Sequence, residues 1–152
     1  LAFLAPDQCV IAVGGVGELL VRHESYLKWE QINASRLRCT GPQDEAALAA
    51  LLRLSACVIL PITTGGGSNI KTAEALINGN IVIGTSTSFR GYSGVSGLSG
   101  VYAANQPQDF RRLVSSALAG TLAGRASHDL AQRQAFTWSA TLSGVAGELA
   151  RL

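Results

Sequence analysis

The chain has no methionine, two histidines, three cysteines and four prolines in 152 residues, and only 14% of its residues are charged. Each shortage excludes something. His23 and His128 lie far apart and build no metal motif. Cys9, Cys39 and Cys57 are odd in number and contain no C-x-x-C pair, so neither a disulfide framework nor a zinc site is supported. They read as small apolar residues of an interior. The net charge is +2 and the basic residues are scattered, without interleaved aromatics, which argues against a nucleic-acid surface. No apolar run is long enough for a membrane. The most apolar region, Ala46 to Ile62, carries Arg53 and includes Pro61, and it falls short of the roughly 20 residues a bilayer requires. No secretory signal is visible, so the expected location is the cytoplasm or the inner face of a membrane. A chain that starts at Leu1 without any methionine reads as a fragment whose natural partner domain lies outside it.

The hydrophobic content of 47% suits a globular protein with a real core, and the length suits one domain over residues 1–152. Cys9 to Gly14 (CVIAVG) is a short apolar run closed by glycines, which predicts a buried strand. A helix is expected over His23 to Ser35, with His23 on its solvent side, and a short strand over Arg36 to Thr40, stopped by Gly41 and Pro42. Asp44 is placed to cap a helix over DEAALAALLRL. Ala56 to Pro61 and Ile81 to Gly84 predict further buried strands, and Gly100 to Ala104 a fourth short one. Gln106-Pro107 opens a helix with the stripe Phe110, Leu113, Val114, Ala117 and Leu118. SGVSGLSG, Ser93 to Gly100, reads as a mobile loop. The tail from Ser127 is helical around an interruption at Phe136 to Trp138, whose aromatics read as core or interdomain packing. Short apolar strands alternating with helices mean parallel βαβ units covered on both faces.

Between two of these strands stands TTGGGSNIKTAEALINGN, Thr63 to Asn80. A phosphate-binding P-loop requires glycine before the Lys-Ser/Thr pair, and Ile70 precedes Lys71-Thr72 here. The dinucleotide fingerprint fares little better: Gly15 and Gly17 are followed by Leu20 where the third glycine belongs. A third possibility is an anion site at a helix start. Ser68 or Asn69 would cap that helix, Gly79 would end it, and its free N–H groups favour a diphosphate. Lys71 in the first turn opposes the helix dipole, and a nearby anion would explain it. Glu74 shares a helix side with Ile70, Ala73 and Ile77, on or beside an apolar stripe. A buried carboxylate there needs hydrogen-bond partners such as ribose hydroxyls. The alternatives for Glu74 are a pair with Lys71 or a place in water at the stripe edge. Arg90 reads as a loop anchor.

GGGSNIKTAEALINGNIVIGTS resembles the C-terminal nucleotide-binding half of two-domain glycosyltransferases of the GT-B type. It is most similar to the large retaining family called glycosyltransferase group 1 (family 4). The family pattern is a Gly-rich loop, Lys-x-x-Glu-Ala, a small-residue turn and a Val-rich strand ending in Ala/Gly-Thr. It is met by Gly65 to Asn69, Lys71 to Ala75, Gly79-Asn80 and Ile81 to Thr85. The rhythm of strands upstream, and FRGY and FTWSATL downstream, are similar too.

The resemblance implies an α/β fold with a Rossmann-like three-layer parallel sheet, helices on both faces, forming the C-terminal half of a GT-B enzyme. It implies transfer of a sugar from a nucleotide-diphosphate donor to a glycan, lipid or small-molecule acceptor, with no metal and no further cofactor. Glu74 matches the second glutamate of the family's E-x7-E motif, which holds the ribose. Gly66, Gly67, Ser68, Asn69 and Ile70 match the backbone that meets the donor diphosphate, and Lys71 faces a phosphate. Gly41 and Pro42 match a loop near the base. Two departures stand out. The first glutamate of E-x7-E falls at Gly66. The family's Arg and Lys phosphate clamp, on the domain's first strand and loop, would precede Leu1, as would the acceptor-binding domain. No catalytic residue is named, and the chain alone is expected to be inactive. A domain that binds a nucleotide or sugar phosphate without turnover, and a structural domain whose glycines serve packing, remain as alternatives.

Overall fold

The computed structural model describes residues 3–15, 36–67, 69–124 and 129–149. The helix expected over His23 to Ser35, the glycine-turn residues Gly17 and Leu20, and Ser68 lie outside the described residues. The chain forms two compact units, Leu1–Ala50 and Leu51–Leu152, and is α/β with parallel strands in two small sheets.

In the first unit, β1 (Val10–Val13) pairs in parallel with β2 (Leu37–Gly41). Val10 faces Leu37, Ile11 faces Arg38 and Ala12 faces Cys39. The register then shifts, so that Val13 faces Gly41 and Thr40 is the extra residue. Past the strands the N–H of Gly14 donates to the carbonyl of Gly41 at 2.8 Å. Gly41 turns the chain at φ +68° into exposed Pro42. The burial expected of CVIAVG is not found: Ile11 is 43% exposed, and Cys9 is exposed as well. Cys39 is also exposed, so neither of these two is an interior residue; Cys57 is half-buried and packs against the core of the second unit. An apolar run signals burial on both faces only where layers cover both faces, and among the described residues no layer covers both faces of β1.

Asp44 caps α1 (Glu45–Leu54) as expected, accepting the Ala47 N–H on Oδ1 at 2.8 Å. The division between the two units falls inside this helix.

The second unit is built on a three-stranded parallel sheet in the order β3 (Val58–Leu60), β4 (Val82–Gly84), β5 (Val101–Ala103). Its register aligns Val58, Val82 and Val101 in one row, and Ile59, Ile83 and Tyr102 in the next. Side chains alternate across a strand, so the rows face opposite ways. Val58, Val82 and Val101 join Leu60, Ala75, Leu76, Phe89, Val95 and Leu98 in one apolar cluster, on the side of α2 (Ile70–Ile77). Ile59, Ile83 and Tyr102 join Phe110, Leu113, Val114, Ala117 and Leu118 of α3 (Pro107–Leu118) in another. The stripe read from α3 is thus the face it buries, and Pro107 opens that helix at its first position. Full burial of side chains such as Val82, Ile83 and Leu76 supplies about 1.5–3 kcal/mol each.

SGVSGLSG is not a free loop. Its 3-10 turn, Val95–Gly97, places Val95 and Leu98 in the first cluster. Ser99 is gripped from two sides: its N–H donates to Asp129 Oδ2 at 2.8 Å, and its carbonyl accepts from Arg133 Nη2 at 2.6 Å. Arg133 belongs to the short helix α4 (Leu130–Gln134) and is 0% exposed. Its guanidinium also donates to the carbonyl of Leu76, in the last turn of α2, at 3.0 Å. Phe136 packs edge-on to Tyr92, with ring centroids 5.6 Å apart, but Trp138, at the start of α5 (Trp138–Leu149), is 67% exposed and is not a core residue.

Gly84 has a tighter requirement than the turn glycines. A Cβ added there would meet Ser88 Cβ and the Phe89 ring at 3.0 Å. We expect Gly84→Ala to destabilise the second unit by about 1–3 kcal/mol through overpacking. Gly66→Ala, with open space and no positive φ, should stay within about 0.5 kcal/mol of the parent. Urea unfolding of both variants checks the contrast.

Candidate functional site

Parallel strands send their loops out at one edge, and β3 and β4 are neighbours. The loop after β3 carries the three glycines, and the loop after β4 runs from Thr85 to Tyr92. The carbonyls at the strand ends need partners once the ladder stops. Two hydroxyls supply them. Ser88 Oγ donates to the Leu60 carbonyl at 2.5 Å, and Thr85 Oγ1 donates to the Ile62 carbonyl. Each hydroxyl then accepts the other residue's backbone N–H at 3.2 Å. Thr72, fully buried in the first turn of α2, donates its hydroxyl to the Ser88 carbonyl at 2.7 Å. The start of α2 is thereby fixed to both loops.

Asn69 stands at the N-cap with extended backbone (φ −87°, ψ 107°), but its side chain makes no capping bond. Its Nδ2 reaches instead to the Thr87 carbonyl at 3.3 Å. The Tyr92 hydroxyl donates to the Asn69 carbonyl at 2.5 Å. Among the described residues, no acceptor meets the N–H groups of Gly66, Gly67, Ile70 and Lys71. Gly65 and Gly67 adopt φ of +126° and +70°, which other residues rarely tolerate, whereas Gly66 does not. Among the described residues, no atom lies within 4 Å of a Cβ built on any of the three.

Arg90, expected as a loop anchor, holds this loop. Its Nη2 donates to the carbonyls of Gly65 at 2.6 Å and Gly67 at 3.0 Å, and its Nε to Gly67 at 3.3 Å. Ordering a backbone residue costs about 1–2 kcal/mol, and more for glycine. Hydrogen bonds from a charged donor contribute about 1.5–3 kcal/mol each, with an exposed site at the low end. The guanidinium therefore offsets much of what three ordered glycines cost, without exceeding it.

The face of α2 that enters the core is Thr72, Ala75 and Leu76. Ile70, Ala73, Glu74 and Ile77 do not form a buried stripe, and Ile70 is exposed. Glu74 is half-buried, with no hydrogen bond or ion pair to its side chain among the described residues, so the pair with Lys71 is not formed. Lys71 is exposed. The structure thus brings Gly66, Gly67, Asn69, Ile70 and Lys71 together at one helix start, with Glu74 one turn on. Gly41 and Pro42 belong to the first unit. Among the described residues, no group of three His, Cys, Asp or Glu could hold a metal, and no helix is long and apolar enough to cross a membrane.

Among the described residues, two groups titrate away from their ordinary values. Burial pushes the Cys57 thiol up. Burial also raises the Tyr92 phenol; the Ala73 N–H opposes this and the Glu74 carboxylate adds to it. Sequence reasoning missed Tyr92, Ser88 and Thr72 as parts of the site. Their signal, isolated hydroxyls near strand ends, carries no periodicity.

No family model matches the chain, and comparison with curated proteins and with solved structures gave no match.

Ser88→Ala removes one of two hydrogen bonds to the Leu60 carbonyl, which keeps the Thr85 N–H at 3.3 Å, and we expect a loss of about 0.5–1.5 kcal/mol in chemical unfolding. Tyr92→Phe removes one hydrogen bond, about 1 kcal/mol at neutral pH. The raised phenol also makes stability depend on pH. Tyr92 contributes fully below its ordinary value of 10.0, and that contribution is lost as pH rises through the higher folded-state value. The unfolding free energy should therefore fall less steeply above pH 10 in Tyr92→Phe than in the parent.

Proposed function

We propose that this chain is the donor-binding part of a glycosyltransferase, which moves a sugar from a nucleotide-diphosphate donor to an acceptor. The observation that carries the reading is the set of N–H groups of Gly66, Gly67, Ile70 and Lys71 without acceptors among the described residues, at the ends of parallel strands. Ligands of parallel α/β sheets bind outside the carboxyl ends of the strands, and a helix start favours phosphate.

In this reading the leaving diphosphate gains negative charge as the glycosidic bond breaks. Backbone N–H groups already aimed at it, with Lys71, stabilise that charge without reorganising. Glu74, free of Lys71, accepts from the ribose hydroxyls. Gly41 and Pro42 are assigned to the base by the family resemblance alone. The Rossmann-like arrangement of the whole chain, a single domain organisation and a cytoplasmic location belong to the same proposal, as does the need for the enzyme's acceptor-binding half. Gly66 replaces the carboxylate that the family places on the donor sugar. That replacement favours one further reading, a domain that binds a nucleotide or sugar phosphate without turnover.

Calorimetric titration with UDP, GDP, ADP and their sugar conjugates tests the site. One nucleotide is expected to bind, and Glu74→Ala should weaken it about tenfold, the worth of one charge-assisted hydrogen bond, with the melting temperature unchanged. A fall in melting temperature with no change in binding would make Glu74 structural and defeat the reading. Sugar transfer by the full-length protein separates turnover from binding alone.

A further inference from the structure

We propose that Arg90 is a positioning residue, which sets nucleotide affinity by holding the glycine loop in shape and not by lending its charge to the ligand. The inference rests on the donor-site reading above.

Three successive glycines have the widest conformational freedom a chain can offer. Among the described residues, no atom lies within 4 Å of a Cβ built on Gly65, Gly66 or Gly67, so no apolar packing fixes their shape. The loop nevertheless takes a definite shape, with φ of +126° at Gly65 and +70° at Gly67. Among the described residues, the side chain that meets the carbonyls of both these glycines is Arg90. It does so with one edge of its guanidinium, Nε and Nη2, a rigid fork that lysine lacks.

The peptide plane carries the effect further. In a trans peptide the carbonyl of one residue and the N–H of the next point in opposite directions. With the Gly65 carbonyl drawn to Arg90 at 2.6 Å, the Gly66 N–H is turned away from the cation. An N–H turned this way, with no acceptor among the described residues, is preorganised for an anion on the side opposite Arg90. The guanidinium is thus engaged behind the loop, while Lys71 on the first turn of α2, equally exposed, makes no hydrogen bond or ion pair among the described residues. Arg90 itself is exposed, so its replacement leaves the core intact.

The test uses Arg90→Ala and Arg90→Lys. Backbone 15N relaxation gives order parameters for Gly65, Gly66 and Gly67, and calorimetry with UDP, GDP and ADP gives affinity. The parent loop is expected in the rigid range, near 0.85, and both variants below about 0.6. Amide shifts of Val82 to Gly84 should stay put, which certifies the fold. Affinity for the bound nucleotide should drop about tenfold in both variants. Parent affinity in Arg90→Lys would make the charge the active element and overturn the proposal. So would unchanged order parameters in Arg90→Ala. If the parent binds none of the three nucleotides, the donor-site reading fails and the affinity claim with it, while the order parameters still decide whether Arg90 holds the loop.

Discussion

The second unit depends on how two parallel strands end. β3 and β4 stop side by side. The Gly84 carbonyl still accepts the Ala104 N–H at 2.9 Å, but the Leu60 carbonyl has only a long bond from the Thr85 N–H, 3.3 Å, and the Ile62 carbonyl has no backbone donor among the described residues. Leaving such groups unpaired costs about as much as a whole hydrogen bond apiece. Ser88 and Thr85 answer this need reciprocally, each hydroxyl donating to a β3-side carbonyl and accepting the other's N–H. Gly84 is part of the same constraint, because its missing Cβ leaves the room that Ser88 and Phe89 fill. Thr72 extends the network into α2. A candidate site made of backbone groups needs its backbone held, and this network holds it.

The other end of α2 is secured by different chemistry. The last carbonyls of a helix lack partners and carry partial negative charge. Arg133 brings a buried cation to them, donating to Leu76, and joins them to Ser99. Asn80 completes the exit from the helix by donating to the Leu52 carbonyl at 2.6 Å. A cation binds the C-terminus of the helix and hydroxyls bind its N-terminal turn, while no acidic side chain occupies that first turn. The charge at the N-terminal end is thus uncompensated from within the described residues, apart from carbonyls already engaged.

Much of this was legible in the sequence, and the parts that were not share a reason. The strands Val58–Leu60, Val82–Gly84 and Val101–Ala103 announce themselves as apolar runs, and Asp44, Gly79 and Pro107 mark helix ends by local chemistry. Such signals act within a few residues of chain. Arg133 reaches Leu76 and Ser99 across tens of residues, and its surroundings LAQRQ read as a polar surface helix. The same holds for SGVSGLSG, whose small residues suggest freedom until Val95 and Leu98 are seen in the core. Cys9 and Ile11 erred the other way, because an apolar run does not reveal how many layers cover it. Of the candidate site, the glycine loop and the helix start were readable from composition. The face of Glu74 was not, because Ile70, Ala73 and Ile77 form an apolar stripe as good as Thr72, Ala75 and Leu76, and packing chose the second.

That choice has a consequence for chemistry. Had the stripe with Glu74 entered the core, its carboxylate would have needed buried partners from the protein itself. Burying Thr72 instead puts a hydroxyl in the interior, where the Ser88 carbonyl satisfies it completely, and turns Glu74 to the half-exposed side. There the carboxylate keeps its hydrogen-bonding capacity, close enough to bear on the Tyr92 phenol and one turn from the N–H groups of Ile70 and Lys71. A single rotation of α2 about its axis therefore separates two tasks. Residues that hold the helix face inward, and residues able to meet a ligand face out.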